Sequence, residues 1–219
     1  MQKRVALLFC GRVRAHEYCH PTFQKHIVTP LRDAGYEYDS FLSHSTTPID
    51  SSIQNFIENN RVISYEMTLP NNNHLSHIPF FKDRWGKALS YVMFYHWNNA
   101  HRLMKEYSER TGVQYDMIIY MRADQQFTSD LIIPETIPPN TVYIPYGYDW
   151  DGLNDQFAMG DIHSIRIFTD LYNNVDRIYN KTRVNFHTET YVKLYLEDVG
   201  INVIRFPLDY GLHPARGNT

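Results

Sequence analysis

Two short segments with apolar residues in succession constrain the fold of this chain more than any other feature of its sequence. The first is a continuous run over residues 4–10 that is followed by Gly11, and the second is Tyr-Asp-Met-Ile-Ile-Tyr at 115–120, whose centre is apolar. Uninterrupted apolar runs of this length are typical of central strands that are covered on both faces in a parallel sheet. The two segments therefore predict buried strands of an α/β protein.

Helical patterns alternate with strand patterns along the rest of the chain. Apolar residues at intervals of three and four predict helices, and short apolar runs between turn residues predict strands. This alternation implies a parallel sheet with right-handed crossovers. The predicted helices cover residues 16–34, 51–60, 83 or 84 to 110, 162–179 and 188–198. Pro21 and Pro30 lie near the ends of the first helix or at kinks in it, and Ser is the N-cap of the second. The further predicted strands cover 38–44, 61–67, 141–145 and 202–206.

Length and composition exclude several classes of protein. The 219 residues are enough for one compact domain, which we expect to cover 1–219, as a whole protein or as part of a longer one. Because 21 Lys and Arg stand against 24 Asp and Glu, the basic excess of a dedicated nucleic-acid binder is missing. A signal-peptide pattern and an apolar run of roughly 18 to 20 residues are also missing. We therefore expect a soluble, cytoplasmic protein with neither a nucleic-acid partner nor a membrane span.

Two loops after predicted strands carry candidate ligand-binding residues, because ligands of open parallel sheets bind beyond the carboxyl ends of the strands. The first loop, Cys10-Gly-Arg-Val-Arg14, combines Gly11 with Arg12 and Arg14, whose forked donors suit phosphate oxygens. It matches neither the dinucleotide-binding glycine fingerprint nor the P-loop. The alternative is that Gly11 only turns the chain and that both arginines are solvated.

The second loop is Arg122-Ala-Asp124, which follows the apolar run at 115–120. Side chains two residues apart at a strand end point the same way. Arg122 and Asp124 are therefore expected to face a pyrophosphate together, the arginine directly and the carboxylate through a divalent cation. The alternative role for Asp124 is that of an ordinary turn or helix-cap residue.

Four motifs follow one another in a characteristic order. They are a first strand ending in Gly-x-x-Arg, a long Trp-containing helix, Tyr-Asp-x-Ile-Ile-x-x-Arg-x-Asp and Asn-Asp-Gln-Phe-Ala-x-Gly. With them the chain, from Val5 to about Phe206, resembles small GT-A-fold glycosyltransferases of algal large DNA viruses, the chlorella viruses, and of bacterial surface-polysaccharide clusters. The resemblance implies a GT-A-like, Rossmann-related α/β fold with a mostly parallel central sheet flanked by helices.

The resemblance also implies a donor site. In that fold the D-x-D carboxylates hold Mn²⁺ or Mg²⁺ on the diphosphate of a nucleotide sugar, and the loop after the first strand packs on the nucleotide. Arg122-Ala-Asp124 occupies the place of the D-x-D motif, so Arg122 replaces the first aspartate and one metal ligand is missing. Either Asp124 holds the metal together with Asp209 or His213 from the tail, or the arginine partly replaces the cation. The predicted donor-binding residues are Gly11, Arg12, Arg14, Arg122 and Asp124.

The activity that the resemblance implies is transfer of a hexose or deoxyhexose from a UDP-, GDP- or dTDP-linked donor to a hydroxyl of a glycan or glycoprotein. The segment 154–160 occupies the place of the acceptor-side segment. Asp155 is predicted to deprotonate the acceptor, with Glu189 as the alternative base, and the sequence leaves inversion or retention open. Their ordinary structural roles are a cap for Asp155 and a favourable first-turn charge for Glu189.

An aromatic segment at residues 146–151 is the predicted acceptor surface. Its rings suit the C–H groups of a sugar and its carboxylates suit the hydroxyls, although the rings would equally suit a lid over the core. The residues concerned are Tyr146, Tyr148, Asp149, Trp150 and Asp151. The loop at 71–82 is expected to order when the donor binds.

A second function stays open at this point. A non-catalytic sugar- or nucleotide-binding module on the same fold would have lost the metal clamp with the first aspartate, and it would bind without turnover. For a viral protein, the host cytoplasm is the expected location.

Overall fold

The structure is a computed structural model that describes residues 2–13, 15–45, 49–68, 71, 75–79 and 87–212. Two predicted site residues, Arg14 and His213, lie outside the described residues, as does half of the loop predicted at 71–82.

Within this part of the chain, seven strands form one sheet in the order β3-β2-β1-β4-β7-β6-β8. Every neighbouring pair is parallel except the two pairs that involve β7. The predicted α/β fold with a mostly parallel sheet is therefore confirmed. The strands are β1 (Lys3–Cys10), β2 (Tyr36–His44), β3 (Val62–Met67), β4 (Met117–Arg122), β6 (Thr141–Pro145), β7 (Phe157–Gly160) and β8 (Asn202–Phe206), and a separate antiparallel pair joins β5 (Gln125–Phe127) to β9 (Tyr210–Leu212).

Helices cover both faces of this sheet. The predicted helix at 16–34 is one helical stretch whose middle widens into a π-helical segment, Gln24–Val28, between its two prolines. Asp50 caps the next helix by accepting from the Ile53 backbone N–H at 2.9 Å, so the prediction of a Ser N-cap is wrong. The helices are α1 (His16–Phe23), α2 (Thr29–Asp33), α3 (Ser51–Asn59), α4 (Lys87–Thr111), α5 (Ile162–Thr169), α6 (Leu171–Thr182) and α7 (Thr188–Asp198).

The single helix predicted at 162–179 is two helices. Asp170 ends α5 and begins α6, and its carboxylate accepts from the Asn173 and Asn174 side chains at the start of α6. These local hydrogen bonds compete with a continuous helix. None of the helices in the described ranges is long and apolar enough to cross a membrane.

The register of the central strands brings the candidate loops to one edge of the sheet. Cys10, the last residue of β1, is aligned with Arg122, the last residue of β4. Phe157, the first residue of antiparallel β7, lies next to Met121 near the end of β4. The residues after β1 and β4 and those before β7 therefore share the same edge, which we call the carboxyl edge.

An aromatic core under α4 supports this edge. The Trp97 ring stacks on Phe168 with centroids 4.8 Å apart, and it also contacts the ring of Tyr120 on β4. The Tyr120 hydroxyl donates to the backbone carbonyl of Asp155 at 3.0 Å. All three rings are fully buried, so the core itself holds the segment before β7 in place.

Candidate functional site

A buried ion pair joins the two charged residues of the Arg122-Ala-Asp124 loop. The Arg122 Nε and Nη2 atoms each donate to one carboxylate oxygen of Asp124 at 2.9 Å. Asp124 is only 1% exposed, whereas the Arg122 side chain is 20% exposed. Burial lowers the pKa of Arg122, but the hydrogen bonds and the charge of Asp124 outweigh burial, so its pKa lies above the ordinary value. The two side chains therefore bind each other.

This pair decides how well the described residues fit a divalent cation. Both oxygens of Asp124 are already bound by one guanidinium group, which competes with a metal for the same lone pairs. No group of three or more His, Cys, Asp or Glu side chains in the described ranges could hold a metal ion. The donor set found here does not fit the clamp of a D-x-D motif, and Mn²⁺ or Mg²⁺ stays a prediction.

Two carboxyl groups, Asp155 and Glu189, meet beside this pair. Asp155 lies just before β7, and Glu189 lies in the first turn of α7; both are buried. The Thr188 hydroxyl donates to Glu189 Oε2 at 2.5 Å and also hydrogen-bonds the Asp155 carboxyl. A hydroxyl has one proton to donate, so Thr188 stabilises the ionised form of only one of the two carboxyls at a time.

The surroundings of Asp155 raise the pKa of its carboxyl group towards neutral pH. Burial, and next the negative charge of Glu189, raise the pKa of Asp155 to about 7, while Arg122 and Thr188 act in the opposite direction. Because Arg122 acts on Asp155 as well as on Asp124, the four side chains form one electrostatic unit. We call Arg122, Asp124, Asp155 and Glu189 the charged cluster.

Two participants next to the cluster, His187 and Thr188, escaped the sequence analysis. His187 occupies the N-cap position of α7 without a capping hydrogen bond from its side chain, and its Nε2 atom lies 3.5 Å from Glu189 Oε2. Its Nδ1 atom lies 2.9 Å from the Thr190 hydroxyl. The signal was present in the run His187-Thr-Glu-Thr190, where polar residues surround an acidic one at a helix start. That pattern also fits ordinary helix capping. Only the contact of Thr188 with Asp155 in the folded chain indicates that these residues belong beside the cluster.

The chain segment between β6 and β7 is fastened directly to α7. The Leu153 backbone N–H donates to the Glu189 carbonyl at 3.0 Å. At Gly152 the backbones come so close that a Cβ atom would lie 2.0 Å from the Glu189 carbonyl carbon. Glycine is therefore required at position 152, and through it the segment that carries Asp155 is held against the residue that carries the second carboxyl.

The aromatic loop, residues 146–151, lies at this end of the sheet on a strained backbone. Tyr148, Trp150 and Asp151 have φ angles of 56°, 38° and 68°, in the left-handed region that disfavours side chains. Asp149 anchors the loop, since its carboxylate accepts from Arg205 Nη2 at 2.8 and 3.1 Å. Tyr148 stacks on Tyr210. These contacts hold the strained backbone just before Trp150.

The predicted acceptor residues thus divide into two groups. Asp149 and Tyr148 are engaged within the protein, the first by Arg205 and the second by Tyr210, to whose carbonyl the Tyr148 hydroxyl also donates. Tyr146, Trp150 and Asp151 are exposed, Trp150 by 67%, although the Arg205 guanidinium lies over the Tyr146 ring, 5.4 Å from its centroid. The rings do not fold inward as a lid over the core. The exposed group remains available to a ligand.

The remaining predicted residues lie at different distances from the cluster. Gly11, at a φ of 92°, and exposed Arg12 follow β1 at the carboxyl edge. Asp209 is exposed, and its backbone N–H donates to Ser129 Oγ. Because Gln125 pairs with Leu212 and Phe127 with Tyr210, Asp209 lies at the end of the β5–β9 pair that is farther from Asp124. The structure therefore does not bring Asp209 and Asp124 together.

Comparisons with known proteins place this geometry in a wider context. A family model described as a domain of unknown function, DUF7796, matches residues 1–216. A search of curated proteins finds no match. Among solved structures, the apo form of the glycosyltransferase GlyE from Streptococcus pneumoniae TIGR4 matches with a TM-score of 0.51 at 11% sequence identity. The match covers 93% of this chain and 45% of that chain, so the chain spans less than half of the GlyE structure. This likeness shows a glycosyltransferase-like fold.

Proposed function

The chain belongs to the DUF7796 family, and on this premise we propose that it transfers a sugar from a nucleotide-diphosphate donor to a hydroxyl of a glycan acceptor. The glycosyltransferase-like fold supports glycosyl transfer in general. The UDP-, GDP- or dTDP-linked donor, the hexosyl or deoxyhexosyl group and the glycan or glycoprotein acceptor are parts of the proposal.

The observation that carries the proposal is the charged cluster itself. It sets a cation, Arg122, beside a carboxyl, Asp155, whose pKa is raised to about 7. Glycosyl transfer from a nucleotide diphosphate needs a positive charge for the leaving diphosphate and a base for the acceptor hydroxyl. Titratable groups with strongly shifted pKa values concentrate at functional sites.

Arg122 is the group that we assign to the diphosphate. Its Nε and Nη2 atoms bind Asp124, while its Nη1 atom makes no hydrogen bond to any residue that the structure describes. Asp124 therefore orients the guanidinium and leaves one end of it for a phosphate oxygen. Gly11 and Arg12, at the same edge, extend the proposed donor surface along the end of β1. Arg14, outside the described residues, stays a predicted member of that surface.

Asp155 is the group that we assign to the acceptor proton. A base works best when its pKa lies near the working pH, because it is then both deprotonated and basic enough. Glu189 keeps the pKa of Asp155 high through its negative charge, and Thr188 hydrogen-bonds both carboxyls. The two candidate bases of the sequence analysis thus act as a pair in which Asp155 exchanges the proton.

The exposed part of the aromatic loop is the proposed acceptor surface. The Trp150 indole and the part of the Tyr146 ring that Arg205 does not cover offer apolar faces to sugar C–H groups, and Asp151 offers hydrogen-bond acceptors to hydroxyls. The loop is joined to the cluster through Gly152 and Leu153, which contact the backbone of Glu189. An acceptor stacked on the loop is therefore held next to the paired carboxyls.

One observation favours the second candidate, a sugar- or nucleotide-binding module without activity. Arg122 occupies both oxygens of the aspartate that the resemblance assigns to a metal. If turnover requires that metal, the cluster binds a diphosphate through Arg122 and does nothing further.

Release of nucleoside diphosphate tests the proposal and separates it from the alternative. UDP-, GDP- and dTDP-linked sugars are incubated with the protein and a panel of glycan acceptors, with Mn²⁺ in one series and EDTA in the other. We expect turnover with one donor class, and a loss of about 10²–10⁴-fold in Asp155→Asn, the usual contribution of a general base. The matched control is Asp33→Asn, which removes the same charge from an exposed position at the end of α2.

The two series also decide the metal prediction. Turnover that survives EDTA assigns the diphosphate to the cationic side chains of the proposed donor surface, Arg122 among them, and turnover that requires Mn²⁺ restores the predicted cation. Donor binding without release of diphosphate under either condition would contradict the enzyme and support the binding module.

A further inference from the structure

A second cleft lies away from the charged cluster. It is bounded by the last turns of α4, the segment that leads into β4 and the first turn of α5, and its volume is about 390 Å³. Ile118, near the start of β4, pairs with Gly160, the last residue of β7 and two residues before α5, so this cleft lies at the edge opposite to the carboxyl edge. The lining residues on which the following argument depends are His101, Met104, Lys105, Glu109, Ile162 and Arg166.

His101 is the unusual member of this lining. It is 7% exposed, and its buried Nε2 atom has no hydrogen-bond partner among the residues that the structure describes. Buried polar atoms in native proteins are nearly always hydrogen-bonded, so an orphaned imidazole nitrogen calls for a missing partner. Burial, and next the charges of Arg166 and Lys105, lower the pKa of His101 to about 4, while Asp170 acts in the opposite direction. At neutral pH the ring is therefore uncharged and has one donor and one acceptor nitrogen.

The charges at the mouth of the cleft favour an anion. Lys105 and Arg166 are exposed cations, and Glu109, 3.7 Å from Lys105, is the carboxylate in the lining. Two cations against one anion leave one net positive charge. The Arg166 side chain forms no ion pair with any described residue, so its forked donors are free to bind carboxylate or phosphate oxygens.

The rest of the cleft is suited to an apolar body. Met104 is fully buried in its wall, and Ile162 stands half-exposed at its rim. A volume of this size lies within the range of ordinary small-molecule sites, which are mostly apolar with a few polar groups that orient the ligand. A bare inorganic anion would leave this volume and its apolar wall unused.

We propose that this cleft binds a small organic anion, a single carboxylate or phosphate group carried on an apolar body. Arg166 binds the anionic group, His101 supplies a hydrogen bond through its unpaired Nε2 atom, and Ile162 contacts the apolar part. The proposal is independent of the function assigned to the charged cluster, since the two sites share no residue.

Thermal unfolding with three probes tests this site. The probes are phenyl phosphate, benzoate and inorganic phosphate, and the proteins are the wild type, Arg166→Gln and Arg32→Gln. Arg32 is an exposed arginine in the last turn of α2, away from the cleft, so its variant matches the charge change. Both arginines are exposed, and neither substitution removes an ion pair found in the described residues.

We expect phenyl phosphate or benzoate to raise the midpoint of unfolding by several degrees in the wild type and in Arg32→Gln, and at least threefold less in Arg166→Gln. Inorganic phosphate should give a smaller shift than the organic probes. Equal shifts in Arg166→Gln would place the binding elsewhere, the charged cluster included, and would overturn the proposal. It would also be overturned if neither organic probe shifts the wild type, or if inorganic phosphate matches them.

Discussion

The charged cluster and the aromatic loop are joined through Gly152, yet they are built in opposite ways. The cluster is buried, and its charges are held by one another and by the core under α4. The loop is exposed and strained, and it is held at its base by the pairing of Asp149 with Arg205. In the proposed function, the residues assigned to the chemistry thus lie where the fold determines their protonation, and the residues assigned to the acceptor lie where solvent can be displaced.

Because of this difference, substitutions in the cluster and substitutions in the loop should have different effects on folding. A change in the cluster leaves a buried charge without its partner and therefore affects folding as well as any activity. A change at the tip of the loop removes little from the fold, because the side chain is already exposed. Four predictions test how far this separation holds.

The largest effect is expected from breaking the buried ion pair. Arg122→Met leaves the Asp124 carboxylate buried and unpaired, and we expect it to lower the free energy of unfolding by about 3–5 kcal/mol. Chemical denaturation measures this loss. The double variant Arg122→Met/Asp124→Leu should recover most of the stability, because apolar replacement of a buried pair is often neutral or stabilising.

The control for this prediction is an exposed pair. Lys105→Met removes the partner of Glu109 on the surface of α4, and it should cost no more than about 0.5 kcal/mol. Equal losses for Arg122→Met and Lys105→Met would show that the cluster is not buried as described.

The next effect concerns the junction between the two regions. Gly152→Ala forces a Cβ atom against the backbone of Glu189, and we expect a loss of about 1–3 kcal/mol together with a lower rate of transfer, because the two carboxyls are pushed apart. Gly211→Ala is the matched control, since a Cβ atom there meets nothing within 4 Å and its φ is not positive. Normal stability in Gly152→Ala would mean that the loop is not fastened to α7.

The third effect is a pH dependence carried by Asp155. Its pKa is raised from 3.8 to about 7 in the folded protein, so the folded state binds the proton more tightly than the unfolded state does. The stability that this contributes is fully present below pH 4 and is lost as the pH rises through about 7. We therefore expect the unfolding free energy of the wild type to fall relative to that of Asp155→Asn over this range, with a slope of at most about 1.4 kcal/mol per pH unit.

Comparison with the variant is essential here, because buried histidines act in the opposite direction. His16, His96 and His101 have pKa values lowered to about 4, so their contribution to stability grows as the pH rises from 4 to 6.5. These histidines are present in both proteins, and their contributions cancel in the difference. A difference that stays constant from pH 4 to 7 would contradict the raised pKa of Asp155.

The smallest effect on the fold is expected at the tip of the loop. Trp150→Ala should change stability by less than about 0.5 kcal/mol, because the indole is exposed. It should raise the KM for the acceptor about tenfold, which corresponds to about 1.4 kcal/mol of lost stacking. Trp150→Gly should be about 1 kcal/mol more stable than Trp150→Ala, since glycine tolerates the positive φ. An unchanged KM would remove Trp150 from the acceptor surface.

The sequence predicted the parallel part of the fold well. β6, β8 and α7 have the predicted bounds, and β1 and β4 lie within two residues of theirs, because continuous apolar runs and three-to-four spacing are local signals. β5, β7 and β9 were missed. They are three or four residues long, and their antiparallel pairing depends on strands remote in the sequence.

The site was predicted in its parts but not in its contacts. The sequence indicated Arg122, Asp124, Asp155 and Glu189, and the structure brings all four together. Arg122 binds Asp124, whereas the sequence analysis expected both residues to bind a ligand, and Thr188 contacts the two other carboxyls. These contacts depend on side-chain distances. No sequence spacing carries this information, because β4, the start of β7 and the start of α7 meet only in the folded chain.

The most direct test of the donor assignment measures the binding of UDP, GDP and dTDP to the wild type and to Arg122→Met/Asp124→Leu. The shift in the midpoint of thermal unfolding reports this binding. A ligand at a hundred times its Kd adds about 2.7 kcal/mol, which raises the midpoint of a chain of this size by about 5–10 °C. We expect one of these nucleotides to give such a shift in the wild type and none to do so in the double variant. Equal shifts in both proteins, or no shift in the wild type, would contradict the assignment of the diphosphate to Arg122.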